Sequence, residues 1–210
     1  MRKRDKAILD DLVRFRALTR NQIIDIHFGD LRNPVANANA VMLRLYRQGY
    51  VERTADYKQY VYFPADGTLR KDSAKLRHFL AIADVYIRMR KLGGLKRFNV
   101  EPKYGKGYAE PDAFVIWRGS PFFIEVQRSI YSERQIADKV ARYEALARSG
   151  VIEKEAWQPK GKTVMPAVIM LTETRYAIES KTVRFVQVAD IGELIPKVKP
   201  KIEGIRMKIS

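Results

Sequence analysis

The sequence predicts a mixed α+β to α/β chain built in two parts, and three observations carry that prediction. Helical periodicity runs through the first fifty residues and gives way to two short β-prone stretches. A single long amphipathic segment, 72–92, follows a Gly-containing turn. Beyond it, β-branched and aromatic runs alternate with one further helical pattern, in the order helix, strand, hairpin, helix, strand: an αβββαβ arrangement.

Within the first part, residues 4–18 place Ile8, Leu9, Leu12, Val13 and Phe15 near helical spacing. Thr19, with Gln22 three positions on, is a capping box for a second helix carrying Ile23, Ile24 and Ile26 and ending at Gly29. Asn33 followed by Pro34 starts a third, since proline suits the first helical position. Ala38, Val41, Met42 and Leu45 form its apolar stripe; Asn37, Arg44, Arg47 and Gln48 lie largely on the other side. Residues 50–54 and 59–63 read as a hairpin around Ala55, Asp56, Tyr57 and Lys58. Three helices and a hairpin in that order resemble a winged helix-turn-helix, with LRLYRQGYVER running from a recognition helix into a wing. A helix of that kind enters the DNA major groove. Asn37 and Arg44 are then the candidates for base edges, and Arg47 and Lys58 for phosphate. The competing reading is a winged-helix module used for protein contact or dimerisation. His27, beside Phe28, reads as a packing or capping residue.

Ala65, Asp66, Gly67 and Thr68 mark the boundary, which gives domains at 1–67 and 68–195 and a basic tail at 196–210. Leu76, Phe79, Leu80, Ala83 and Ile87 form the stripe of the long helix, which Gly93 and Gly94 end; His78 and Asp84 fall off it or at its edge. A strand is expected at 96–101 and a loop at 103–109. The hairpin 113–117 and 121–126 follows, turning at Arg118, Gly119 and Ser120. Side chains alternate along a strand, so Glu125 and Gln127 share one face, and pairing brings Asp112 towards it. Glu125 sits in the apolar run FFIEV, where a carboxylate is costly unless exposed, paired or metal-bound. Two converging carboxylates suit a hard cation such as Mg²⁺ or Mn²⁺, with Asp112 and Glu125 as its ligands.

Ser132 and Gln135 cap the next helix. There Lys139 lies between Ile136 and Tyr143 on one side, aimed either at a phosphate or carboxylate pair, or along an apolar edge. Residues 151–163 read as a charged connection, 164–171 as a buried strand, 174–180 as a short helix and 183–188 as a last strand. The tail adds Lys197, Lys199, Lys201, Arg206 and Lys208 as phosphate-attracting charges.

The second part resembles the PD-(D/E)xK nuclease-like fold, with Pro111-Asp112 and Glu125-Val126-Gln127 in the motif positions. Gln127 stands where a Lys is usual, so either Lys139 substitutes as the cation or the site is weak or inactive. The whole combination resembles the replication-relaxation family of plasmid, phage and mobile-element proteins, over roughly residues 5–190. Pro111, Asp112, Ala113, Glu125, Arg128, Ser129, Lys139 and Tyr143 match that pattern, and Gln127 departs where Asp is common. The resemblance implies catalytic parts for Asp112, Glu125, Gln127 and Lys139, a nucleic-acid contact at Arg128, and a role in DNA replication or relaxation.

Composition narrows the partners. There are 40 Lys and Arg against 24 Asp and Glu, a net charge of +16, which favours a polyanion. Cysteine is absent and histidine occurs twice, which excludes thiol chemistry, disulfides and His-rich metal sites. No apolar run reaches the roughly 18–20 residues of a membrane span, and neither signal peptide nor membrane partner is expected. The reading is a cytoplasmic protein that binds double-stranded DNA, either as a metal-dependent nickase or as a non-catalytic regulator or replication accessory factor, in either case with a homodimer as one assembly state. A tyrosine-nucleophile relaxase using Tyr131 or Tyr143, and an RNA-binding protein, are the further alternatives.

Overall fold

Two sheets organise the chain, one in each lobe. The computed structural model describes residues 1–55 and 57–196. The expected tail from Lys197 onward and Asp56 of the expected turn lie outside the described residues. The N-terminal lobe comprises α1 (Lys3–Phe15), β1 (Leu18–Thr19), α2 (Arg20–His27), α3 (Pro34–Arg47), β2 (Val51–Thr54) and β3 (Val61–Pro64). The C-terminal lobe comprises α4 (Leu76–Leu92), β4 (Leu95–Val100), β5 (Ala113–Trp117), β6 (Ser120–Val126), α5 (Glu133–Arg148), β7 (Ala167–Leu171) and β8 (Phe185–Val188).

In the N-terminal lobe the strand order is β1-β3-β2, antiparallel throughout. The first helix stops earlier than its periodicity suggests. Arg16 takes a left-handed φ of 64°, and Leu18 and Thr19 extend to pair with Tyr62 and Val61. Thr19 then caps α2: its Oγ1 accepts from the Gln22 N–H at 3.1 Å, and Gln22 Oε1 accepts from the Thr19 N–H at 2.9 Å. Asn33 does not cap α3 through its side chain; Pro34 opens the helix, and the Asn33 carbonyl accepts from Asn37 N–H at 3.1 Å.

The second sheet has the order β4-β5-β6-β7-β8, antiparallel from β4 to β6 and parallel from β6 to β8. The β5–β6 connection is a two-residue turn, with φ of 50° at Arg118 and 81° at Gly119, and Trp117 faces Ser120. The β6-to-β7 crossover is α5. Alternation divides the sheet residues between two layers. Ala113, Val115, Trp117, Ile124 and Ile169 pack on the α4 side, whereas Phe114, Phe123, Val168 and Met170 pack with Ile136, Tyr143 and Leu146 of α5.

One expected element is absent. Residues 174–180 have no regular secondary structure rather than a helix, because Tyr176 is held to β8. Its N–H donates to Gln187 Oε1 at 2.8 Å and its carbonyl accepts from Gln187 Nε2 at 2.9 Å. A partner eleven residues away thus outweighs local helical preference.

The apolar core continues across the chain boundary near residue 67. Leu12 and Phe15 of α1 and Met42 of α3 share one buried cluster with Phe79, Ile82 and Met89 of α4 and with Val115 and Ile124 of the second sheet. Phe15 meets Tyr86 at 5.2 Å and Phe98 at 6.2 Å between ring centres, and Arg14 lies over all three rings. Arg14 also donates to the Phe98 carbonyl, and Arg16 pairs with Glu101 at 2.5 Å. Glu101 in turn donates its N–H to the Asp112 carbonyl at 2.9 Å, so the lobe junction reaches the residue that leads into β5.

Candidate functional site

Three elements converge where β5 begins and β6 ends. Asp112 precedes β5 by one residue. Glu125 is the penultimate residue of β6, on the face shared with Phe123, and α5 crosses that face. The α5 periodicity that buries Ile136 and Tyr143 turns Lys139 the same way. A cleft of about 280 Å³ results, lined among others by His78, Asp112, Glu125, Gln127, Arg128 and Lys139.

Glu125 is buried, with 5% of its surface exposed. Both of its oxygens are occupied: Tyr143 OH donates to Oε1 at 2.5 Å, and Lys139 Nζ donates to Oε2. Burial pushes the Glu125 carboxyl above its ordinary value, the Lys139 ammonium pulls against that shift, and Asp112 adds to it. Burial opposes the Lys139 ammonium, yet Glu125 and Asp112 outweigh it and hold Lys139 above its ordinary value. The Lys139 ammonium also lies 5.7 Å from the Tyr131 ring centre.

Asp112 is fixed from two directions. Its Oδ2 accepts from the Val126 N–H at 2.6 Å, which ties the start of β5 to the end of β6. Its Oδ1 is 2.8 Å from His78 Nε2; a carboxylate only accepts, so the imidazole N–H donates. That hydrogen bond raises the His78 pKa, against a smaller opposing effect of burial. His78 comes from the first turn of α4, thirty-four positions from Asp112 in sequence.

Gln127 has a different environment from Glu125. Its Nε2 donates to the Ser129 carbonyl at 3.0 Å and to Tyr176 OH at 2.6 Å, and that hydroxyl also accepts from the Tyr131 N–H at 3.1 Å. Gln127 therefore ties the segment after β6 to the irregular segment that stands where a helix was expected. Its Oε1 is buried without a hydrogen-bond partner among the described residues. The Arg128 guanidinium lines the same cleft and donates to the Arg77 carbonyl at 2.9 Å.

Asp112, Glu125, Gln127, Lys139 and Arg128 are thus together. Asn37, Arg44, Arg47 and Lys58 belong to the other lobe. Arg47 and Lys58 are exposed there. Asn37 Nδ2 donates to the Asn33 carbonyl at 2.7 Å. Arg44 pairs at 2.8 Å with Asp5, a buried acid of α1 whose pKa is lowered: burial opposes the carboxylate, but Arg44 and the Arg2 N–H outweigh it. Asp84 is exposed on α4, as expected of a surface acid, and its Oδ1 accepts from Gln22 Nε2 at 2.6 Å; partial burial raises its pKa.

Sequence reasoning missed His78 and Tyr176. His78 lies off the apolar stripe of α4, and no local pattern ties it to Asp112. Tyr176 lies in a stretch that resembled a short helix.

Among the described residues no group of three or more His, Asp or Glu side chains forms a ready cage for a metal. The donor chemistry of the two carboxylates still fits a hard divalent ion. Mg²⁺ is commonly held by one or two carboxylates and completed by water and phosphate oxygens. No helix among the described residues is long and apolar enough to cross a membrane.

Residues 64–159 match the family described as replication-relaxation. That span holds every residue of the motif from Pro111 to Tyr143, together with His78; α1 to α3 lie outside it. No curated protein and no solved structure matches the chain.

Proposed function

We propose that this chain, a replication-relaxation protein over residues 64–159, binds duplex DNA through a winged-helix N-terminal lobe and nicks it at a PD-(D/E)xK-like site in the C-terminal lobe. The observation that carries the reading is the convergence of Asp112, Glu125 and Lys139 in one cleft although the motif position holds Gln127. An ammonium from α5 stands beside the carboxylate pair, where the resemblance expects a cation from β6. The net charge of +16 supports a polyanionic substrate.

In this reading α3 presents its exposed face to the DNA. Ala36 and Ala40 keep that face low, and Asn39 and Arg47 beside them offer polar and charged contacts, while Arg44 anchors the helix to α1. Lys58 meets phosphate from the hairpin, and Arg128 meets phosphate at the cleft. Asp112 and Glu125 would hold Mg²⁺ or Mn²⁺, which when bound supplies an activated water and charge neutralisation at the scissile phosphate. Lys139 swings from Glu125 to the phosphate as charge develops there. Gln127 positions the segment after β6, and His78 holds Asp112 in orientation. Tyr143 is committed to Glu125 and has a pKa well above its ordinary value, raised mainly by burial, which makes it a poor nucleophile for a relaxase mechanism.

The test is conversion of supercoiled plasmid to open circle with Mg²⁺ or Mn²⁺, beside Asp112→Ala and Glu125→Ala. Nicking by the wild type that both variants lose is the expected result. No conversion, with duplex binding intact in all three proteins, sinks the nuclease part and leaves a non-catalytic DNA-binding factor.

A further inference from the structure

The N-terminal lobe carries a cluster of exposed aromatic rings set around one arginine, where the end of α3 meets β2 and the start of β3. Tyr46 at the end of α3 and Tyr60 just before β3 are 42% and 39% exposed. Arg53 of β2 sits between them, its guanidinium carbon 4.4 Å from the Tyr46 ring centre and 4.3 Å from that of Tyr60. The Tyr60 and Tyr62 rings are 6.2 Å apart, and Tyr62 faces Arg53 across the strand pair. The Arg20 backbone N–H donates to the Tyr60 carbonyl at 2.9 Å, which fixes the chain just before β3. Tyr50, 49% exposed, follows α3 just beyond this cluster.

A ring buried in an intramolecular stack loses its accessible surface. Tyr46 and Tyr60 each have the Arg53 guanidinium against the ring, and each residue still exposes about two-fifths of its surface. Arg53 lies against both rings, which reduces the side-chain freedom to be lost on binding. Exposed aromatic faces interleaved with guanidinium groups match the chemistry of unpaired nucleobases: each base offers a π-face to a tyrosine, and its phosphate meets an arginine. A duplex keeps its bases stacked inside and has no face to offer such rings. A protein partner is the weaker fit for aromatic rings set around the Arg53 guanidinium on a chain of net charge +16.

We propose that Tyr46, Tyr60 and Arg53 form a stacking platform for unpaired bases of single-stranded nucleic acid. The N-terminal lobe would then engage a junction, its α3 face on duplex and its aromatic cluster on the adjoining single strand.

The full chain is titrated by fluorescence anisotropy with four probes: labelled dT₁₅, labelled U₁₅, a blunt duplex, and the same duplex with a single-stranded extension. Variants are Tyr46→Leu/Tyr60→Leu, which removes both π-faces, and Tyr46→Phe/Tyr60→Phe, which keeps them and controls for folding. Stacking is worth about 1–3 kcal/mol per base, so the Leu pair is expected to weaken dT₁₅ binding by at least about tenfold, with the Phe pair near wild type. The extended duplex should lose its advantage over the blunt one in the Leu pair alone. Equal dT₁₅ binding by the Leu and Phe pairs overturns the proposal, as does equal wild-type affinity for blunt and extended duplex. Tighter binding of dT₁₅ or of U₁₅ identifies the strand as DNA or RNA, and the platform stands on either. Loss of blunt-duplex binding with dT₁₅ binding retained overturns the winged-helix reading and supports the platform.

Discussion

Replacing Tyr143 by Phe removes one oxygen and leaves the ring. The ring packs against Phe123 at 5.6 Å and Phe185 at 5.7 Å, and both contacts survive. What is lost is the O–H that donates to Glu125 Oε1 at 2.5 Å in a fully buried setting. A hydrogen bond to a charged group contributes about 1.5–3 kcal/mol, so a loss of about 2 kcal/mol is expected. For a chain of this size that corresponds to a fall in Tm of about 4–8 °C. The loss also depends on pH in a defined direction. The hydroxyl stabilises the ionised carboxylate, so its removal raises a Glu125 pKa that burial has already raised. The variant then binds more protons when folded than the wild type does across that window. Its deficit therefore grows as pH rises through the Glu125 pKa and shrinks in acid, where Glu125 is protonated in both proteins. Urea unfolding of both proteins from about pH 4.5 to 8 reads this directly. A deficit that is the same at both ends, or absent at pH 8, would refute the claim that Tyr143 supports an ionised Glu125.

His78 provides the opposite pH dependence. Its pKa is raised above the ordinary 6.5 by the hydrogen bond to Asp112, so the stability this pair contributes is fully present below the unfolded imidazole value and is lost as pH rises through the higher folded one. NMR titration should place the imidazole above 6.5, and the stability gap between wild type and His78→Asn should narrow towards alkaline pH; a gap that widens rejects the pairing. Gln22→Leu removes the donor to Leu80 O at 2.8 Å and to Asp84 Oδ1 at 2.6 Å. With those acceptors left at the lobe junction, a cost of about 1–3 kcal/mol is expected in chemical unfolding. Phe98→Ala should cost about 3–5 kcal/mol while retaining one cooperative transition in calorimetry, because Phe98 packs with Phe15 of the other lobe; two separated transitions would show that the lobes fold independently.

Much of the architecture was legible in local signals. The helices α2 and α5 begin at capping boxes readable as Thr19 with Gln22 and Ser132 with Gln135. Arg118 and Gly119 turn β5 into β6, as the break between two apolar runs required. Strand alternation alone put Glu125 opposite Ile124, and helical spacing alone put Lys139 with Tyr143. Those periodicities follow from backbone geometry over a few residues, so sequence suffices to read them.

Other features depend on partners far along the chain, and only the tertiary structure decided them. Lys139 had two destinations by spacing; packing of α5 over β6 settled it on Glu125. His78 meets Asp112 only because α4 covers one layer while its first turn reaches the start of β5. Residues 174–180 lost their helical preference to Gln187, and Arg44 is tied to the buried Asp5. The two halves share one core because Phe15, Tyr86 and Phe98 fill the same volume. Each of these contacts joins residues eleven or more positions apart. The energy that selects among them comes from burying charge beside its partner and apolar area away from water, quantities that exist only once the chain has packed.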